Sequence, residues 1–293
     1  MRALTLRPSS RVARAATALL LGTSLAVVAS GATTSADAAR WAPADQAKIN
    51  PGVMMYTAGA QCTGNFVFTD RRDRVYVGYA AHCAGKGEAT DTNGCDTASQ
   101  PLGTKVRFVE NGNPGSEGTT VGQGTLAYSS WRTMRAIGTK SNAACSYNDF
   151  ALVRVTADDV RKVNPSVPFF GGPSGVRQGG FAGGEQIFTV GNSSLRAGVF
   201  ALQPKTGAVV ETHPSGWSHT VYTLSPGIPG DSGSGFLDAN GKAFGVLSTV
   251  AIAPLPASNG VSDLKRSLEF AQRHSGIAGL RLVRGTVDFA PLV

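Results

Sequence analysis

From Val53 onward, apolar residues come in short runs, each closed off by glycine, proline or a cluster of charged side chains. That rhythm constrains the fold most. A helical bundle needs apolar positions recurring at three- and four-residue intervals over long stretches, whereas short runs between turn residues read as β-strands. Phe66-Val67-Phe68 and Val75-Tyr76-Val77-Gly78-Tyr79 flank the charged turn 69–74 and predict a hairpin. Further strands are expected at 105–109, 120–127, 133–137 and 150–155. After a break, others are expected at 186–190, 199–202, 208–211, 220–224, 235–237 and 243–250. With 37 glycines and only 16% charged residues in 293, composition also favours a turn-rich β protein.

The break, 156–184, carries Pro165, Pro168, Pro173 and a concentration of glycines, so it reads as a crossover linker. Ser262 is placed to cap a helix running to about His274, with Leu264, Leu268 and Ala271 on one face and Gly276 as its stop. A last alternating run, 280–283, is expected to pair onto a sheet edge. The reading is an all-β chain of two packed antiparallel barrels, 53–155 and 185–293, each of about six strands, with a C-terminal α-helix.

Residues 1–38 stand apart from this pattern. Arg2, Arg7, Arg11 and Arg14 precede an apolar run, 15–29, that is short for a membrane span, and Ala36-Asp37-Ala38 resembles a cleavage site, with Ser30-Gly31-Ala32 as a second candidate. A signal peptide is expected, hence a secreted protein with no membrane contact after signal removal. A short polar leader, 39–52, follows. The formal charge of +8 falls once that arginine-rich start is removed, and no dense Lys/Arg cluster remains to bind nucleic acid. Four cysteines in an exported chain suggest two disulfides, with Cys62–Cys83 and Cys95–Cys145 as the expected pairs, and their spacing disfavours a zinc site. Nothing calls for a metal or a cofactor.

Three stretches carry chemistry. Gly230-Asp231-Ser232-Gly233 sets a hydroxyl between glycines on a backbone open to close approach. A serine is a poor nucleophile unless a base and an anion-stabilising pocket attend it, and the amides of Gly230 and Ser232 are placed to form that pocket. His82 follows a strand and adjoins Cys83, so a disulfide there would pin a candidate base. Asp149 stands just ahead of the apolar run 150–155. Taken singly, these are a glycine-rich turn, a structural histidine and a strand-entry aspartate. Together they are far more specific.

Ala80-Ala81-His82-Cys83, Asn148-Asp149-Phe150-Ala151-Leu152-Val153 and Gly230-Asp231-Ser232-Gly233-Ser234 resemble the three signature blocks of the chymotrypsin-like serine proteases, in that family's order. The signal and short leader resemble its exported bacterial branch. The resemblance implies a chymotrypsin-like fold and a monomeric secreted endopeptidase acting on proteins or peptides through an acyl-enzyme. Ser232 would be the nucleophile, His82 the general base and acid, Asp149 its orienting group, and the Gly230 and Ser232 amides the oxyanion hole. Ser248 would support Asp149 and begin the substrate-binding strand, and Cys62–Cys83 would match the disulfide bracketing the histidine loop. Pro226 and Val250, at positions that shape the specificity pocket, imply an uncharged, narrowed site for Ala, Val or Leu.

The chain departs from the pattern in a longer gap from His82 to Asp149, where 85–115 reads as an inserted loop, and in a second barrel without cysteines. Animal relatives neutralise the aspartate beside the serine with a newly cut N-terminus. Residues 48–52 lack the matching sequence, so signal removal is expected to suffice and a basic side chain is expected to pair with Asp231.

Two rival functions remain in view. A non-catalytic binding module on the same fold is one, since fold does not fix function. An α/β-hydrolase using Ser232, Asp263 and His274 is the other, but Ser234 breaks its G-x-S-x-G motif and alternating βα units are missing.

Overall fold

The computed structural model describes residues 40–87, 91–250 and 256–291. The expected signal, 1–38, lies outside them, as does residue 39 of the leader.

Seven strands precede the crossover: β1 (Met54–Thr57), β2 (Ala60–Thr63), β3 (Val67–Thr69), β4 (Val75–Tyr79), β5 (Lys105–Glu110), β6 (Thr119–Ser129) and β7 (Ala151–Val155). β1 pairs with β2 and β5, and the order continues β5-β6-β7-β4-β3 through antiparallel ladders. β2 and β3 are consecutive pieces of one bent segment, so this sheet closes on itself as a six-stranded barrel. The edge of β3 that the curl leaves uncovered is taken by a two-residue strand, Arg281–Leu282. The barrel interior is filled by Met55, Val67, Val77, Tyr79, Phe108 and Val153, all shielded from solvent, while Phe68 and Phe150 meet edge to face on the opposite side of the sheet.

The charged turn between β3 and β4 is organised by Asp70, whose side chain is buried although its neighbours are charged and wet. Its Oδ1 accepts from the amides of Arg72 and Arg74, and its Oδ2 from Arg74 Nε at 2.6 Å and the Tyr76 hydroxyl at 3.0 Å. Burial pushes the Asp70 carboxyl up, but these bonds outweigh it and hold the group below the usual carboxylate range.

The second barrel contains β8 (Gly175–Val176), β9 (Gln186–Val190), β10 (Pro204–Thr212), β11 (Ser218–Thr223), β12 (Gly235–Asp238), β13 (Lys242–Val250) and β14 (Asn259–Asp263). Six of these close in the order β12-β9-β10-β11-β14-β13, sealed by the β12–β13 pairing, while β8 adds in parallel to β13. Ile187, Val209, Val221, Phe236, Phe244, Leu247 and Val261 fill the centre. The two-barrel, all-β architecture expected from the sequence is therefore present. In the crossover, Val163, Val167 and Phe170 are buried, so its stretch 163–173 is a packed strap, while 178–180 and 182–184 are exposed.

Three α-helices lie among the described residues: α1 (Ser130–Ile137), α2 (Asn142–Tyr147) and α3 (Leu264–His274). The expected strand 133–137 is the second half of α1. Ser129 caps its start by accepting from the Arg132 amide, Gly138 ends it in the left-handed region, and Trp131 and Met134 point inward three residues apart. A short apolar run satisfies either period, and here the caps decide. The expected strand 199–202 is a 3-10 turn over Phe200–Leu202, its apolar side chains exposed. α3 runs to His274 as expected and buries Leu264, Leu268 and Ala271, but its cap is Asp263. Ser262 belongs to β14, a strand absent from the sequence reading. β15 (Arg281–Leu282) pairs with β3, as the alternating run implied.

Both disulfides join the expected partners, Cys62–Cys83 and Cys95–Cys145. No helix among the described residues is long and apolar enough to cross a membrane.

Candidate active site

His82 lies in a 3-10 turn over Ala81–Ala84, directly after β4. The Cys62–Cys83 disulfide ties this turn to β2. Behind it, Trp131 of α1 sits 6.3 Å from the imidazole, ring centre to ring centre.

Asp149 enters from the other side, between α2 and β7. Its approach is fixed by neighbours. The Asn148 amide donates to Ala144 O, Ser130 Oγ donates to Asn148 O at 2.6 Å, and the Phe150 amide donates to Ser130 Oγ. The range 85–115 read as an inserted loop holds the barrel strand β5, so only the stretch ahead of β5 is loop. The second disulfide braces the same place from there, because Cys145 lies in α2 and Cys95 in that loop, where the Gly94 amide also donates to Cys145 O.

The two groups meet. His82 Nδ1 is 2.6 Å from Asp149 Oδ2, the His82 amide donates to Asp149 Oδ1 at 2.9 Å, and Ser248 Oγ donates to Asp149 Oδ2 at 2.6 Å. An ionised carboxylate only accepts, so Nδ1 carries the proton and Nε2 is left with a lone pair. Burial pulls the imidazole pKa down, but the Asp149 charge and hydrogen bond raise it beyond that, and the net direction is upward from 6.5. Burial raises the Asp149 carboxyl, while His82, Ser248 and the His82 amide lower it further, so it lies below its ordinary value.

Ser232 is brought beside this pair by the first barrel. The Thr63 amide donates to Ser232 O at 2.8 Å, and Cys83 Sγ lies 4.0 Å from the same carbonyl. Gly233 permits the approach. Its φ is 92°, and a Cβ there would strike Thr63 O and the Ala80 amide. The amides of Asp231, Gly233 and Ser234 donate to Ile228, Leu247 and Asp231 carbonyls. Those of Gly230 and Ser232 meet no acceptor among the described residues, which leaves both available to an anion. The Ser232 hydroxyl likewise makes no hydrogen bond here. Catalytic hydrogen bonds are commonly loose until a substrate closes the site.

Asp231 is fully buried and paired with basic side chains, as the sequence led one to expect. Arg196 Nη2 reaches its Oδ2 at 2.8 Å and Lys205 Nζ at 3.3 Å, with the Ser193 and Ile228 amides completing the shell. Burial lowers the Lys205 pKa, Asp231 raises it and Arg196 lowers it, for a net downward direction.

Asn259 ties together the chain neighbours of Pro226 and Val250, two positions expected to shape a pocket. Asn259 of β14 accepts from the Gly227 amide through Oδ1, and its Nδ2 reaches Gly227 O and Thr249 O, so it laces the Pro226-Gly227 wall to the Thr249-Val250 wall. Pro226 O accepts from Arg196 Nη2 at 2.7 Å, and Val250 is 49% exposed at the end of β13. Asn259, Arg196, Lys205, Ser193 and Gln61 were not singled out in the sequence. Only the need of Asp231 for a cation was readable there.

Cys62, His82 and Cys83 place three potential metal donors close together, but the two sulfurs are bonded to each other and offer no thiolate.

No protein-family model matches the chain, and no curated protein matches its sequence. Among solved structures it is similar to protease A of Thermobifida fusca, with 17% identity over 81% of this chain and 99% of the other and a TM-score of 0.49. It is similar to the Nocardiopsis protease NAPase at 19% identity, covering 80% and 98%, with a TM-score of 0.47. It is also similar to a Glu endopeptidase at 18% identity, covering 76% and 89%, with a TM-score of 0.48.

Proposed function

We propose that this chain is a secreted serine endopeptidase. The observation that carries the reading is the 2.6 Å bond between His82 Nδ1 and a buried, triply bonded Asp149, set beside a turn whose Gly230 and Ser232 amides are unpaired. Ser232 Oγ attacks the scissile carbonyl while His82 Nε2 takes its proton. The carbonyl oxygen becomes an oxyanion between the two amides. Collapse breaks the C–N bond as His82 returns the proton to the leaving amine, and water repeats the cycle on the acyl-Ser232 ester. Asp149 stays ionised and holds the imidazolium. Export is supported by the two disulfides and by the expected signal at 1–38.

A fluorophosphonate probe tests the reading directly. It is expected to label the folded protein at Ser232 and to spare heat-denatured protein. Equal labelling of both, or none of either, defeats it.

Pro226, Ser248 and Val250, to which the substrate pocket is assigned, carry no charge, and the Arg196 guanidinium against Pro226 O is paired with Asp231. The polar atoms of Asn259 are already spent on Gly227 and Thr249. A charged P1 group buried there without a partner costs several kcal/mol, so Ala, Val or Leu is expected at P1. Chromogenic peptides differing only at P1 measure this, and highest kcat/KM for Arg, Lys or Glu would refute the pocket.

A further inference from the structure

We infer that Ser193 is a positioning residue for the oxyanion hole, acting through the Pro229–Gly230 peptide. The inference rests on the protease reading and deepens it.

A trans peptide is planar, with its C=O and N–H on opposite sides, so fixing the carbonyl fixes where the amide points. The only cis bond among the described residues is Gly172–Pro173, so Pro229–Gly230 is trans. Its amide is one of the two unpaired donors beside Ser232. Its carbonyl is held from behind by Ser193, whose hydroxyl donates to Pro229 O at 2.6 Å. Rotation of this peptide would turn the carbonyl toward the oxyanion and the amide away from it. Glycine at 230 puts little steric resistance in the way of that rotation, because its φ of 95° belongs to a region glycine explores freely. Something else must hold the plane.

Ser193 is built for that purpose. It is 2% exposed, and every polar atom it has is engaged. Its amide donates to Asp231 Oδ1 at 3.0 Å, its carbonyl accepts from the Arg196 amide, and its Oγ accepts from the Leu195 amide while donating to Pro229 O. The hydroxyl is thus oriented by one bond and spends its proton on the other. A Cβ on Gly230 would come within 2.8 Å of Ser193 Oγ, so the two residues are in contact. The next peptide is pinned separately. Gly230 O accepts from Thr63 Oγ1 at 2.8 Å and Gln61 Nε2 at 3.1 Å, which leaves the 229–230 plane dependent on Ser193.

Losing a single oxyanion donor costs about 10²- to 10³-fold in kcat. Ser193→Ala keeps the donor but frees its plane, so a smaller loss of about 10- to 100-fold is expected. The loss should fall on kcat, because the substrate carbonyl makes its strongest demand on the amide only when charge develops.

The experiment compares wild type, Ser193→Ala, Ser193→Thr and Ser232→Ala on one chromogenic peptide. Binding of a peptide aldehyde, whose hemiacetal oxygen occupies the hole, is measured beside binding of the product peptide. Ser193→Ala is expected to lower kcat and aldehyde affinity together, with KM and product affinity within about twofold of wild type. Ser193→Thr, which keeps the hydroxyl, is expected to restore most of both. Unchanged kcat in Ser193→Ala overturns the inference. So does a loss shared equally by aldehyde and product, or a Thr variant no better than Ala, since each marks a merely structural residue. If wild type turns nothing over, or Ser232→Ala is as active as wild type, the protease reading falls and takes this inference with it.

Discussion

Ser232→Ala is expected to lower kcat by about 10⁴-fold or more, and His82→Ala and Asp149→Ala by comparable factors, measured on a chromogenic peptide. The three act on one proton, so a double variant should lose little beyond the worse single one. Near-normal hydrolysis by Ser232→Ala would sink the assignment. The pH profile supplies a second, independent check. Only neutral imidazole accepts the serine proton, so kcat/KM must fall as pH drops through the His82 pKa. That pKa is raised above 6.5, which places the acid limb above the ordinary histidine value.

The sign for stability is opposite. A group with a raised folded pKa stabilises fully below its unfolded value, here 6.5, and the contribution is lost as pH rises through the folded value. Asp149, held below 3.8, stabilises above 3.8 and loses that contribution as pH falls through its folded pKa. Asp149→Asn removes the charge that raises His82 and turns one accepting carboxylate oxygen into an N–H donor. Its acid limb should therefore move down while kcat collapses, because the amide favours the wrong imidazole tautomer. An unmoved limb would mean that Asp149 does not set the His82 pKa.

The sequence made the barrels legible because most strands are bounded by unmistakable turns, as β3 and β4 are by the Asp70 turn. It failed where an element is short or polar. β14, Asn-Gly-Val-Ser-Asp, shows too little alternation to announce a strand, and it becomes one because β11 and β13 pair with it on either side. The α1 run reads as either period, and only its capping residues choose. In the site, His82, Asp149 and Ser232 were readable because each sits in a local block of distinctive residues. Their supports were not. Ser193 touches Pro229 and Gln61 touches Gly230 through backbone carbonyls far along the chain, and such contacts leave no side-chain pattern to read. The need for a cation at Asp231 follows from the chemistry of a buried carboxylate. Which of the many basic residues supplies it is decided by the loop after β9, where Arg196 emerges, and by β10, which carries Lys205.

Asp231→Asn is expected to destabilise the fold by about 3–5 kcal/mol, the range for removing one partner of a buried ion pair. A domain of this kind holds only about 5–15 kcal/mol in total, so the loss should be plain in thermal or denaturant unfolding. The carboxylate stands against two cations, Arg196 at 2.8 Å and Lys205 at 3.3 Å, and Lys205 is itself almost completely buried. Without it, two positive charges face each other out of water. Lys205 has the easier escape. Its pKa is already lowered, and shedding its proton relieves the repulsion, whereas the Arg196 guanidinium stays charged. Removing the lysine charge should therefore recover part of what Asp231→Asn loses, and the double variant Asp231→Asn/Lys205→Met is expected to be more stable than the single one. Activity should fall in both, since Asp231 also accepts from the Ser193 and Ile228 amides and so shapes the turn that presents Ser232. A single variant that unfolds at the wild-type midpoint would show that the carboxylate is not the anchor of this turn. A double variant no more stable than the single one would show that Lys205 is not the cation left stranded.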